Sequence, residues 1–191
     1  LGISTLWEPD AFDGQDAEFV GADGHDGTGR FMVYWSRQNG ELVREPMHSY
    51  DVPGEGDWYL KGRGTHAPVV IEPYYYPVAG VDTLMTTLST PIMDGERFLG
   101  VVNVTIALGA LQERIAALRP LDVGQATLLS PLGAVMASAD AAEVGKVRDD
   151  ADTARVLAAM KEDRTVSDEA DIGGTRSLRV FVPLRLGDAP E

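Results

Sequence analysis

The chain has 191 residues, 44% apolar and 24% charged, a balance that suits a folded globular chain and argues against disorder. Its 16 Lys and Arg against 30 Asp and Glu give a formal charge of −14, a surface that repels phosphate backbones and anionic lipid and so argues against nucleic-acid and membrane-surface binding. With no cysteine, disulfides, thiolate zinc sites and cysteine nucleophiles are excluded together.

The opening residues Leu1-Gly2-Ile3-Ser4-Thr5-Leu6-Trp7 start without an initiator Met or a helix cap, and no signal peptide or apolar run of about 20 residues follows. The sequence therefore reads as a piece of a longer protein whose flanks hold membrane anchors. The first third is punctuated by Asp13-Gly14, Asp23-Gly24, Asp26-Gly27 and Asn39-Gly40. Segments 31–35 and 41–44 flank the last of these and predict a hairpin. A Gly/Pro/aromatic stretch, 50–59, predicts a loop. Segments 69–76 and 83–91 form a second strand pair around Gly80, and Asp94-Gly95 turns the chain into a strand over 97–107.

Within that strand Val102, Val104 and Ile106 share one face and Asn103 and Thr105 the other, so one face is expected to be core and the other to carry polar groups. Leu108, Leu111, Ile115 and Leu118 then recur at helical spacing until Pro120 stops the helix. Beyond it, strands are predicted over 125–129 and 134–138, and a helix near 152–162 capped by Asp152 or Thr153. Two last strands, 165–170 and 176–184, flank Gly173-Gly174. Strands and helices in short alternation predict an α+β fold of antiparallel sheets with flanking helices. It divides into a larger module, 1–119, and a smaller one, 120–191.

Enzyme and metal signatures are weak. His25, His48 and His66 lie far apart in loop-like contexts, which favours solvent-exposed histidines over a metal pair. Asp13, Asp23 and Asp26 lack the register of a calcium loop, and turn formation accounts for them. No phosphate loop or serine-hydrolase elbow is present, and nothing among the 30 acids singles out a catalytic pair. A carboxylate-dependent enzyme remains the rival from another class. No metal or cofactor is implied.

The aromatic residues are distributed unevenly: all three Trp and all six Tyr fall in the first 76 residues, several beside acids, as in Asp57-Trp58-Tyr59. An aromatic box with a carboxylate is a common way to hold an organic ammonium, and packing of a core is the competing explanation.

The stretches Trp7-Glu8-Pro9-Asp10-Ala11-Phe12-Asp13-Gly14, Trp35-Ser36-Arg37, Gly54-Glu55-Gly56-Asp57-Trp58-Tyr59, Glu72-Pro73-Tyr74 and Leu99-Gly100-Val101-Val102 resemble the double-Cache sensor domains of bacterial methyl-accepting chemotaxis proteins. The resemblance covers most of residues 1–117 and, more weakly, 133–145. Sensor kinases and diguanylate cyclases carry related sensors. The resemblance implies tandem PAS-like (Cache) modules after a long N-terminal helix, which would precede Leu1. It also implies a periplasmic position in an inner-membrane receptor, a homodimeric parent, and a small ligand in the first module. Carried over residue by residue, Tyr50 falls near the family's first ligand Tyr, Trp58 and Tyr59 match its Trp-Tyr pair, and Tyr74 matches its later Tyr. The carboxylate-binding Arg position is Gly56, beside Asp57, and the ammonium-binding Asp position is Thr105. The expected function is thus a sensor for an amine, polyamine or quaternary ammonium, with an amino acid as the alternative. Asp57 would supply charge, Trp35, Tyr50, Trp58, Tyr59 and Tyr74 would surround the ligand, and Asn103 and Thr105 would orient it.

Overall fold

The computed structural model describes residues 2–184 except Asn39 and Ala79. Leu1, the Asn39 half of the Asn39-Gly40 turn and the end of the smaller predicted module therefore lie outside the described residues.

The first strands and α-helix are β1 (Gly2–Trp7), β2 (Met32–Gln38) and β3 (Glu41–Pro46), helix α1 (Asp57–Thr65), and strands β4 (Val69–Val70), β5 (Tyr74–Val78), β6 (Val81–Asp94) and β7 (Arg97–Ala107). Their strands form one seven-stranded antiparallel sheet in the order β3-β2-β1-β7-β6-β4, with β5 also paired to β6. Helix α2 (Leu108–Ala116) follows β7 directly. Then come the hairpin of β8 (Thr127–Leu129) and β9 (Val135–Ser138), helix α3 (Ala151–Lys161), and the hairpin of β10 (Val166–Ile172) and β11 (Thr175–Phe181). The α+β class expected from the alternation of elements is the class observed.

Three local expectations are corrected. Strand β1, where no element was predicted, is the central link between β2 and β7. Its buried face carries Gly2 and Ser4 beside Leu6, so small and polar residues mute the apolar alternation that marks a strand. The stretch 50–59, read as a loop, enters α1 at Asp57. Gly62 and Gly64 lower its intrinsic helicity, and tertiary packing overrides that: Trp58, Tyr59 and Gly62 are buried. A Cβ on Gly62 would stand 3.0 Å from Val101 Cγ1 and 3.2 Å from Ser89 Oγ, so glycine lets the helix lie close to the sheet. There the Ser89 hydroxyl donates to the Trp58 carbonyl at 2.6 Å. Third, α3 is capped by Asp150, not by Asp152 or Thr153. The Asp150 carboxylate accepts the Thr153 amide at 2.8 Å and the Thr153 hydroxyl at 2.9 Å.

The faces of β7 are also reversed in burial. Asn103 is 1% exposed and Thr105 5%, whereas Val102 is 36% exposed. Helix α1 and the tyrosines of neighbouring strands cover the polar face, which thereby becomes an interior. The apolar core beside it is built from Leu6, Met32, Trp58, Tyr59, Ile71 and Val101.

Polar contacts from the large sheet and from α2 hold the segment that follows α2. The Glu72 carboxylate, between β4 and β5, accepts the Ser130 hydroxyl and the Leu132 amide, the latter at 3.1 Å. Ser130 Oγ in turn accepts the Ala134 amide at 2.8 Å. On α2, Gln112 Oε1 accepts the Ser138 amide at 2.8 Å. Glu72→Ala is expected to cost about 1–3 kcal/mol, the usual loss for buried groups deprived of a charged partner. Amide exchange at Leu132 and Ala134 should accelerate together. Unchanged protection at both amides would show that Glu72 does not hold this turn.

Candidate ligand-binding site

Antiparallel register sets the floor of the site. Ser4 lies opposite both Tyr34 and Asn103, Gly2 opposite Thr105, Thr87 opposite Thr105, and Tyr74 opposite Met85. Because alternate side chains share a face, five strands deliver these residues to one surface beneath α1. The result is a small, partly open pocket between α1 and the sheet. The rings of Tyr34, Trp58, Tyr74 and Tyr76 form its walls, with Met47 and Met85 filling between them. Ser4, Thr87, Asn103 and Thr105 form its floor, and no lining side chain carries a formal charge. A second small pocket shares Tyr34, Met85 and Thr105 and reaches Ser36 and Arg37.

The floor is a hydrogen-bonded layer. Tyr74 Oη hydrogen-bonds with Thr87 Oγ1 at 2.7 Å, and Thr87 Oγ1 with Thr105 Oγ1 at 3.0 Å. Asn103 Nδ2 donates to Ser4 Oγ at 3.1 Å. Burial pushes the Tyr34 phenol up to about 12, with Tyr74 and Tyr76 nearby adding to the rise. Burial also raises the Tyr74 phenol, against the opposing effect of the Thr87 and Thr105 hydroxyls. Both rings stay neutral at physiological pH. Tyr34 holds its place because the residue beneath it is glycine: a Cβ on Gly2 would overlap the Tyr34 phenol.

Of the eight residues singled out from the sequence, Trp58, Tyr74, Asn103 and Thr105 line the first cavity. The other four stand elsewhere. Trp35 projects from the opposite face of β2, 43% exposed, with the Arg44 guanidinium 5.6 Å from its ring. Tyr50 and Tyr59 do flank a cation, but it is the chain's own Arg30, whose guanidinium carbon lies 5.0 Å and 5.8 Å from the two ring centroids. Arg30 Nε and Nη2 donate to the Trp7 carbonyl at 2.8 and 2.6 Å, and Nη2 also donates to Tyr59 Oη at 3.1 Å. The Tyr59 hydroxyl donates to Glu8. Asp57 sits in the first turn of α1, where its carboxylate accepts the Gly54 amide at 2.8 Å and pairs with Lys61 at 3.0 Å. The slight burial of that carboxyl opposes ionisation but is outweighed by these partners, so its pKa is lowered.

The sequence reading missed Ser4, Tyr34, Tyr76 and Thr87. Tyr76 could have been found, since it stands two residues from Tyr74 and so shares its face. Tyr34 and Trp35 are adjacent and point oppositely, and only the register with β1 tells which one is inside.

The Arg30 cluster extends to Asp26, which accepts the Thr28 hydroxyl at 2.7 Å, the Thr28 amide at 2.8 Å, the Arg30 amide at 3.1 Å and the Tyr50 hydroxyl at 3.0 Å. Burial works to raise the Asp26 pKa, and these hydrogen bonds outweigh it, so the carboxyl is held below its usual value. A folded pKa below the unfolded one, about 3.9, gives stability that is complete above that value and is lost as pH falls through the folded pKa. Denaturant melts from pH 6 down to pH 2.5 should therefore show a shallower acid decline for Asp26→Asn than for the wild-type chain. Parallel acid limbs would remove Asp26 from the account.

Comparison with known proteins adds three findings. Residues 4–113 match the family described as "Methyl-accepting chemotaxis protein-like, first PDC sensor domain". The chain is 32% identical over 162 residues to methyl-accepting chemotaxis protein TlpQ of Pseudomonas aeruginosa, a match covering 76% of this chain and 23% of that protein. Among solved structures, it superposes with a TM-score of 0.77 on the extracellular domain assigned to a histidine kinase, mmHK1S-Z2, at 28% identity, covering 99% of this chain and 72% of that one. A structure described as Methyl-accepting Chemotaxis protein X gives 0.72 at 27% identity, with 98% and 70% covered.

Proposed function

Because the chain belongs to the methyl-accepting chemotaxis protein-like family of first PDC sensor domains, we propose that it is the ligand-binding region of a double-Cache chemoreceptor and that the cavity under α1 takes a small organic cation. In this reading residues 1–119 form the membrane-distal module and 120–191 the smaller membrane-proximal one. The parent protein is a homodimer anchored in the inner membrane, with this region in the periplasm, and ligand binding here is relayed to a cytoplasmic output domain.

The observation that carries the ligand class is the lining itself. Four aromatic rings surround a cavity with no lining charge. An ammonium gains attraction from the ring faces and from the oxygens of the floor. A carboxylate would enter the same space with no cation to meet it, which counts against an α-amino acid. Gly56, at the position where the family's amino-acid sensors place an Arg, is packed against the carbonyls of Ser49 and Tyr50, and a side chain there would overlap them. The negative surface, with a formal charge of −14, adds long-range attraction for a cation.

A thermal-shift screen of amines, amino acids and carboxylates tests the reading. A ligand at a hundredfold excess over Kd adds about 2.7 kcal/mol. Amines should raise Tm, simple carboxylates should not, and the gain should survive Asp57→Ala but vanish with Tyr74→Ala. Stabilisation by carboxylates alone would reject the cation pocket.

A further inference from the structure

Asn103 is 1% exposed, and its Oδ1 is one of two buried side-chain polar atoms without a hydrogen-bond partner among the described residues. Its amide nitrogen is already committed to Ser4, and the residue lines the cavity floor. A buried acceptor left unpaired is costly and rare in native structures. The remaining floor oxygens also keep acceptor capacity, because the chain of two bonds among the Tyr74, Thr87 and Thr105 hydroxyls uses only two of their six lone pairs. The floor thus presents lone pairs to whatever enters, while the walls present ring faces.

Resting on the cation reading above, we infer that Asn103 is the specificity-determining residue of this cavity: its free Oδ1 accepts an N–H from the ligand, so the site takes protonated amines and discriminates against quaternary ammonium compounds. A primary ammonium offers three N–H donors, one for Asn103 and others for the Thr105 and Thr87 oxygens beside it on the same face. A trimethylammonium group has no N–H. It keeps the attraction of the rings but leaves Asn103 Oδ1 buried and unpaired.

The test uses two matched probe pairs, benzylammonium and butylammonium, each with its N-trimethyl counterpart, titrated calorimetrically into the whole chain. A charge-assisted hydrogen bond corresponds to about 10- to 100-fold in affinity, and the wild-type chain should favour the primary amine of each pair by that factor. Asn103→Leu should bring the two members of a pair close to parity. Asn103→Asp keeps the shape, offers acceptors only, and should tighten the primary amine further. If Asn103→Leu does not fold, the wild-type ratio and Asn103→Asp decide. The inference is overturned if the quaternary members bind the wild-type chain as tightly as the primary ones, if Asn103→Leu weakens both members equally, or if Asn103→Asp weakens the primary amine, which would mean that the amide turns its NH2 inward. If none of the four probes binds the wild-type chain, the cation reading itself falls.

Discussion

Arg30→Ala is expected to cost about 1.5–3 kcal/mol of folding stability, the range for losing hydrogen bonds to a buried charged group. The side chain is 8% exposed and supports three neighbours at once: it bonds the Trp7 carbonyl twice, bonds the Tyr59 hydroxyl, and fills the gap between the Tyr50 and Tyr59 rings. Its removal leaves the Trp7 carbonyl short of donors and the Tyr59–Glu8 pair beside an empty space. Burial tends to lower the Arg30 pKa, and the Tyr59 hydrogen bond with the surrounding oxygens outweighs it, so the group is charged at every accessible pH. Arg30→Lys should recover only part of the loss, because an ammonium cannot reproduce the planar fork or its stacking on two rings. Urea melts of the three proteins at pH 7 measure both effects. A loss under about 1 kcal/mol for the alanine variant would mean that the cluster contributes little to the net stability.

Trp58→Ala should be the most damaging change at the cavity. Trp58 is 6% exposed, packs in the same core as Leu6, Ile71 and Val101, and lines the proposed ligand cavity. It therefore belongs to the fold and to the site together. Truncation of a buried Trp costs about 3–5 kcal/mol, and the lost ring face should weaken an amine as well. Trp58→Phe separates the two roles: it keeps a wall and most of the packing, so it should bind amines detectably while remaining less stable than the wild-type chain. Tyr74, half-buried at the cavity edge, provides the contrast, since Tyr74→Ala should lose more in binding than in folding. Denaturant melts beside binding isotherms for these variants check the division. A Tyr74→Ala variant that binds amines normally would remove that wall from the site.

How far the sequence carries can be judged from particular segments. The strand expected over 97–107 is β7, residue for residue, because Asp94-Gly95 marks its start and the change to helical spacing at Leu108 marks its end. The hairpins around Gly80 and Gly173-Gly174 were legible from their glycines, with bounds shifted by a few residues, but the strand expected over 69–76 is broken into β4 and β5. Helix α1 was not: a nine-residue segment with two glycines has no local signal that outweighs a loop, and it forms because Trp58 and Tyr59 find a sheet to bury against. Burial of β7 was misjudged for the same reason. Asn103 and Thr105 look solvent-facing in one dimension, and only the covering helix and tyrosines make them interior. Half of the residues picked for the site line the cavity: the resemblance pointed to Trp58, Tyr74 and Thr105, and strand alternation added Asn103. The resemblance and the aromatic–acid pairing together drew in Tyr50, Tyr59 and Asp57 as well, and sequence alone cannot reveal that Arg30 lies between the first two and that Lys61 pairs with the third.

The most direct test of the account is a crystal structure of the chain with the tightest-binding amine from the screen. The account predicts the ammonium nitrogen within hydrogen-bonding distance of Asn103 Oδ1, with the rings of Tyr34, Trp58 and Tyr74 around it and Arg30 still between Tyr50 and Tyr59. An amine bound outside the cavity under α1, or one that displaces Arg30 to sit between Tyr50 and Tyr59 beside Asp57, would contradict it.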